Sequence, residues 1–425
     1  MRGDGRRLGW DAARWEPWRR CCSFLGGDKP ARRHVKVTVV NPWQQAWLLD
    51  PKVTFLNHGS YGACPRDVLA EQERLRHEIE RQPVHFFARM LEGLLEEARA
   101  ELALFVGASA DDLAFVPNAT AGVNAVVRSL CFEAGDELLV TNHAYNACKN
   151  AFEGSAERQG ARVVVAEVPF PLHDPGQVVS AVEKHVTGRT RLALIDHVTS
   201  PTGLVFPIER LVAMLSERGV DVLVDGAHAP GMLPLDLAAL SALGAAYYTG
   251  NCHKWMCSPK GAGFLHVRRD RQHLIRPTSI SHGANSPRRD RSRFRLEFDW
   301  TGTMDPTPYL CVPHAIRLFR HLLPGGWTEL MARNRGLALV ARQVLCDGLG
   351  MASPSPAEMV GSLAAVPLPP GDAETLQRAL LERHGIEVPV IPWPETPGRL
   401  VRVSAQLYNE PWHYEKLVNA LRECL

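Results

Sequence analysis

Lysine is scarce in this chain, with 8 lysines against 40 arginines in 425 residues, so each one is informative. Lys254 lies in Tyr247-Tyr248-Thr249-Gly250-Asn251-Cys252-His253-Lys254-Trp255-Met256-Cys257, and Ser258-Pro259-Lys260-Gly261-Ala262-Gly263-Phe264 follows. The pattern is a strand that ends, a polar turn that presents an amine, and a glycine-rich return into the next strand. An amine held among Trp255, Met256 and a sheet edge is partly desolvated, which lowers its pKa and suits it to Schiff-base formation. Upstream, Val222-Leu223-Val224-Asp225-Gly226-Ala227-His228 reads as a buried strand that ends on a carboxylate. The 29 residues from Asp225 to Lys254 leave room for one helix and one strand, so both groups reach the same sheet edge.

A strand-end carboxylate paired with such a lysine is what pyridoxal phosphate needs, because the carboxylate keeps the pyridine nitrogen protonated and the ring becomes an electron sink. A phosphate site is present in the same reading. Pro117-Asn118-Ala119-Thr120-Ala121-Gly122-Val123-Asn124 opens a helix after a short strand, where free N–H groups and the helix dipole favour an anion and Thr120 adds a hydroxyl. Alone, this segment equally describes an ordinary capped helix. Likewise His143 reads alone as a polar residue at a strand end, His228 as a turn cap, His253 as a partner for Trp255, and Arg402 as half of a structural ion pair. Cys252, His253 and Cys257 lack a fourth ligand, so no metal site is expected.

These groups need elements to carry them. A helix is predicted after Pro65 and another over 89–105. Strands are predicted over 113–116, 137–141, 162–168, 191–197, 220–224, 245–249 and 263–267, with helices over 119–130, 148–159, 174–186 and 208–217 between them. Residues 55–62 read as an extended, Gly-bounded segment. Apolar strands alternating with helices imply a mainly parallel sheet covered on both faces, with ligands beyond the strands' carboxyl ends. Residues 268–301, rich in Arg, Ser and Pro, read as a long loop. The arginine run Arg288, Arg289, Arg291, Arg293 and Arg295 reads as a solvated loop or a subunit-interface strand. From 308 the rhythm changes to long helices (308–322, 327–345) and shorter strands (360–366, 386–391, 400–403), with further helices over 373–383 and 412–423. The expected division is a basic, disordered extension over 1–40, a large domain over 41–307 and a smaller α+β domain over 308–425.

Composition bounds the function. With 45% hydrophobic and 22% charged residues the chain can bury a large core. Net charge is +2, which gives no argument for nucleic acid. No apolar run is long enough to span a membrane. The ten cysteines are scattered, which reads as reduced thiols and a cytoplasmic protein. The first 40 residues carry ten basic and four acidic side chains and no apolar core of a signal peptide.

Taken together, residues 55–62, 118–124, 141–147, 196–203, 225–228, 251–254, Thr301-Gly302-Thr303 and Arg402-Val403-Ser404 resemble the class V aminotransferase family of pyridoxal-phosphate proteins, in its isopenicillin N epimerase-like branch. The resemblance implies an α/β, aspartate-aminotransferase-like large domain with a smaller C-terminal α+β domain. It implies Lys254 as the Schiff-base lysine, Asp225 as partner of the pyridine nitrogen and His143 as the ring-stacking residue. It sets His228 and Ser200 near the cofactor's phenolic oxygen, and Ala119, Thr120, Asn251 and His253 at the phosphate. Thr303 corresponds to a phosphate contact supplied by a neighbouring subunit, which implies a homodimer. Arg402 corresponds to the grip on the substrate α-carboxylate, with Asn57 and Tyr145 beside the substrate. Tyr145 is also a candidate proton donor for an epimerase. The implied reaction is epimerisation or β-elimination on an amino acid; an aminotransferase, a cysteine desulfurase-like enzyme and a non-catalytic homologue are the alternatives. Desulfurases carry a nucleophilic cysteine on the loop before this arginine, and residues 386–399 contain none.

Overall fold

The computed structural model describes Asn41 and residues 43–425; the basic segment 1–40, expected to be disordered, lies outside the described residues. Twelve strands are formed among the described residues: β1 (Thr54–Phe55), β2 (Leu113–Val116), β3 (Glu137–Thr141), β4 (Arg162–Ala166), β5 (Thr190–Asp196), β6 (Asp221–Gly226), β7 (Ala245–Asn251), β8 (Gly263–Val267), β9 (Leu363–Leu368), β10 (Ile386–Glu387), β11 (Val390–Pro392) and β12 (Arg399–Ser404). Seven of them make one sheet in the order β2-β8-β7-β6-β5-β3-β4. Only β8 runs against its neighbours, so β2, β3, β5, β6 and β7 all end at one edge. Strand order reverses between β3 and β5, and a ligand crevice is expected at such a switch point.

The alternation of the strands sorts the core. Val222 and Val224 pack on one face with the helices Arg66–Arg81, Leu91–Val106 and Ile208–Glu217. Leu223 packs on the other face with the helices Ala119–Ser129 and Asn146–Gln159. Asp225 shares the Leu223 face by the two-residue period of a strand. The C-terminal part has its own antiparallel sheet, β11-β12-β9, backed by the helices Gly326–Leu349, Ala373–His384 and Pro411–Cys424. The α/β architecture and the smaller C-terminal sheet are as expected.

Several expectations need correction. Residues 55–62 are not extended throughout: His58–Tyr61 is a helical turn, closed by Gly62 N–H donating to His58 O at 2.8 Å with Gly62 at φ +71°. The 308–322 helix is two pieces, Thr307–Leu310 and Val312–Leu322, the second starting with Pro313 in its first turn, where a missing N–H costs nothing. The 386–391 strand is split into β10 and β11 at Val388-Pro389, because proline cannot donate to a ladder. Residues 268–301 are not a plain loop; they hold the helix Arg293–Phe298 and two 3-10 turns.

The arginine run begins as the expected exposed loop, at Arg288 and Arg289, but ends on the helix Arg293–Phe298 and not on a strand. Arg295 is buried and pairs with Glu96, and Arg291 reaches Glu92 at 2.6 Å and Glu96 at 3.1 Å. Arg288 also grips Glu92, at 2.7 Å, and the buried Arg99 pairs with Asp299. These ion pairs bind the excursion onto the helix Leu91–Val106.

Candidate active site

Lys254 leaves β7 in a tight turn and is partly buried. Its Nζ lies 3.0 Å from His228 Nε2. Burial, reinforced by the nearby Arg402 charge, lowers the amine to about 7. The turn is braced from behind. His58 Nε2–H donates to Lys254 O at 3.0 Å, and Tyr408 O–H donates to His58 Nδ1 at 2.8 Å. Burial holds His58 at about 3, so it stays neutral and this tautomer satisfies both bonds. Gly62 must be glycine here, since a Cβ would stand 2.1 Å from His253 O. Three residues on, Cys257 adopts φ +57°, an unusual backbone state for a non-glycine residue.

Asp225 ends β6 on the same edge. Its Oδ1 accepts from Ala227 N–H at 2.9 Å and its Oδ2 from Cys148 Sγ–H at 3.3 Å. Asp196, at the end of β5, is its register partner and is equally buried. Burial raises both carboxyls above the usual range, Asp196 further: the Asp225 charge adds to its burial and only its own backbone N–H offsets it, whereas Asp225 has Ala227 N–H, Cys148 S–H and the Lys254 charge.

The helix Ala119–Ser129 points its start at the same edge. Asn118 caps it by accepting from Ala121 N–H at 2.9 Å. Asn251, expected at a phosphate, uses its Oδ1 to accept from Ala119 N–H at 2.8 Å, so it braces the helix against β7. Gly122 permits that approach, as a Cβ would lie 2.2 Å from Thr249 Oγ1. His253 Nδ1–H donates to Ala262 O at 2.8 Å, and burial lowers this ring to about 4. Thr120 N–H stays available to an anion at the helix start, and His253 turns Nε2 toward it as a donor only when a bound anion brings the ring its second proton.

His143 is fully buried after β3. Its Nε2–H donates to Val168 O at 3.1 Å and its Nδ1 accepts from Thr202 Oγ1–H at 2.7 Å, with burial holding the ring at about 4. Both nitrogens are committed, so the ring offers a face and no mobile proton. Trp393 packs on it with centroids 4.5 Å apart. That tryptophan stands on the β11–β12 loop, where a desulfurase would carry its thiol.

Arg402, on β12, is buried. Its Nη1 donates to Ser200 O, its Nη2 donates to Ser60 Oγ at 3.1 Å, and its Nε has no partner among the described residues. Ser200, expected at the cofactor, is therefore turned to this arginine. Ser60 Oγ–H donates to Asn57 Oδ1 at 2.5 Å, and Asn57 Nδ2–H donates to Glu387 at 3.3 Å, so Asn57 orients Arg402 through Ser60. Tyr145 stands at the mouth, 48% exposed and within electrostatic range of Arg402. Thr303 is exposed on a separate stretch and does not join this cluster within one chain.

A buried amine near neutrality, a hydrogen-bonded strand-end carboxylate, an open helix start and a guanidinium with an unpartnered nitrogen fit pyridoxal phosphate and an amino acid. Sequence reasoning missed Cys148, Asp196, Ser60, His58 and Trp393. Of these only Asp196, Ser60 and His58 lay inside quoted motifs, as bystanders.

Comparison with known proteins gives the same direction. A family model described as Aminotransferase class-V matches residues 63–390. The isopenicillin N epimerase of Amycolatopsis lactamdurans is 39% identical over 390 residues, covering 88% of this chain and 96% of that protein. A probable chloroplastic L-cysteine desulfhydrase of Arabidopsis thaliana is 30% identical over 407 residues, covering 88% and 83%. The crystal structure of the cysteine desulfurase CsdA from Escherichia coli superposes with a TM-score of 0.74 at 20% identity, covering 89% and 96%, which establishes the shared fold.

Proposed function

The chain belongs to the class-V aminotransferase family, and from that premise we propose that it uses pyridoxal phosphate to act on an amino acid, inverting the Cα centre or expelling a Cβ substituent. The observation that carries this reading is the Lys254 amine, held near neutrality at 3.0 Å from His228 on the edge where Asp225 ends β6. Pyridoxal phosphate, when bound, supplies a carbonyl for condensation with an amine and a ring that disperses the charge left at Cα. The protein's own groups do the rest. Lys254 Nζ would hold the cofactor through its carbonyl carbon and serve as the base that moves the Cα proton. Asp225 holds negative charge at the ring nitrogen. The helix start, through Thr120 N–H and the helix dipole, holds the phosphate, with His253 joining once Nε2 is protonated. His143 presents its face, and the Arg402 fork holds the α-carboxylate.

The likeness to an isopenicillin N epimerase favours inversion, with Tyr145 as the second-face proton donor; the likeness to a desulfhydrase supports elimination. Desulfuration through a persulfide is the weaker reading, because Trp393 occupies the loop before Arg402. A homodimer belongs to this proposal, Thr303 of one protomer completing the other's phosphate site. So does a cytoplasmic setting, supported by eight free cysteines among the described residues. Among those residues no helix is long and apolar enough to cross a membrane.

The test is incubation of the reconstituted protein with an amino acid panel in deuterated water. Cα deuteration with inversion identifies an epimerase, pyruvate release a lyase, and keto acid formation a transaminase. Absence of Cα exchange with every member of the panel would overturn the proposal.

A further inference from the structure

Three proton-bearing groups share a dry pocket at the ends of β5 and β6. Asp225 and Asp196 are register partners on adjacent parallel strands, so their side chains leave the same face, side by side. Each is 3% exposed. Cys148, in the helix Asn146–Gln159, is 1% exposed and donates its S–H to Asp225 Oδ2 at 3.3 Å. Asp196 Oδ2 has no partner among the described residues. Two buried carboxyls this close cannot both be charged, so the pair holds one proton. Where that proton rests depends on which carboxylate is the better stabilised anion. Asp225 has Ala227 N–H and Cys148 S–H; Asp196 has only its own backbone N–H, with Oδ2 unpartnered among the described residues.

We propose that Cys148 is a positioning residue for Asp225: its thiol keeps that carboxylate ionised and fixed, so that Asp196 carries the shared proton. The inference rests on the reading of Asp225 as the partner of the cofactor's ring nitrogen. Burial keeps the thiol itself protonated, with the two carboxylates adding to that effect, so it serves as a donor and not as a nucleophile. Without the donor, Asp225 becomes more basic and draws a proton from Asp196 or from the ring nitrogen. The titratable groups facing Asp225 are Cys148 from its helix, Asp196 from β5 and Lys254 from the turn after β7; Tyr248, on the opposite face of β7, is within electrostatic range. Tyr248 is buried with its hydroxyl 3.0 Å from His197 Nδ1 and stays protonated. The competition is therefore between the two carboxyls and the ring.

The experiment compares wild type, C148A, C148S and D225N, each reconstituted with pyridoxal phosphate. It reads the pH midpoint of the bound cofactor's absorbance together with kcat and KM. C148A should displace the midpoint in the same direction as D225N and lower kcat about ten-fold, with KM little changed. C148S retains volume and a donor, so it should fold as wild type and restore both quantities. A C148A titration that superimposes on wild type while D225N is displaced would overturn the inference alone. If C148S behaves like C148A, the thiol's part is packing and the inference also fails. If D225N and C148A both superimpose on wild type, the reading of Asp225 beneath it falls as well.

Discussion

His228 Nε2 lies 3.0 Å from Lys254 Nζ, and Trp255 Nε1–H points at His228 Nδ1 from 3.5 Å. Burial and surrounding positive charge hold His228 well below the ordinary imidazole range, so the ring carries one proton. With Nδ1 facing a donor, that proton is on Nε2 and is donated to a neutral lysine amine.

This gives a pH prediction. The neutral amine is the nucleophile, so the rate at which apoprotein captures pyridoxal phosphate should climb as pH rises through about 7 and then level off. H228A removes a donor to the neutral form and should move the rise to higher pH. Stability follows by linkage. The unfolded lysine binds its proton up to an ordinary pKa near 10, so between about 7 and that value the apoprotein should gain stability with pH. K254M should remove that slope. Stopped-flow absorbance and thermal melts across pH check both parts.

Asp225→Asn keeps the shape and one acceptor, for Ala227 N–H, but turns the other oxygen into an amide donor and loses the charge at the strand end. Cofactor occupancy should persist while turnover falls by about a hundred-fold or more. Turnover equal to wild type would assign the electron-sink role to another group. Absorbance titration and steady-state kinetics are sufficient.

Arg402 divides its fork between Ser200 O and Ser60 Oγ, and a point charge on a flexible stem cannot span both. Arg402→Lys should therefore raise KM at least about ten-fold for the accepted amino acid, with a smaller change in kcat. S60A should show a weaker version of the same effect, since it frees the guanidinium from Asn57.

Free cysteine should not be desulfurated to alanine at a useful rate. Trp393 stands on the loop where a mobile thiolate would be needed, packed on His143. Sulfide and alanine assays should show negligible persulfide turnover, while Cα proton exchange proceeds with a larger amino acid. Alanine formation abolished by one Cys→Ser change would contradict this.

Arg99→Met should lower the melting temperature. Arg99 is 1% exposed and neutralises Asp299 and Glu96, which it would leave crowded by fewer cations. The cost should be about 2 kcal/mol near neutral pH and should shrink as pH falls, because Asp299, buried and left with fewer cations, takes up a proton more readily in the folded state.

The parallel sheet was legible because period-two and period-3.6 patterns alternate cleanly from 113 to 267, and the strand-end groups followed from it. The lysine turn and the carboxylate at Asp225 were readable since each sits where an apolar run stops. The arginine run was misread because its partners Glu92 and Glu96 lie nearly 200 residues upstream, and no local pattern carries that distance. Cys148 was invisible for a different reason: one buried cysteine on a helix looks like core until the neighbouring strand end is known. For Ser200 and Asn251 spacing located the edge but not their partners within the chain, Arg402 and Ala119 N–H, since spacing does not say which way a side chain turns.

The brace behind the lysine also fixes when this enzyme can exist. His58 waits for Tyr408, 350 residues later; Thr54 waits for Lys416, and Phe55 for Asn409. Chains leave the ribosome at about 5–20 residues per second, so the first described segment stays without its anchors for tens of seconds. The site is finished only once Tyr408, Asn409 and Lys416 have been made. A nascent chain that carries Lys254 and Asp225 but stops short of Tyr408 lacks the clamp that aims the amine, so catalytic competence itself reports that Tyr408 has been made and has folded back.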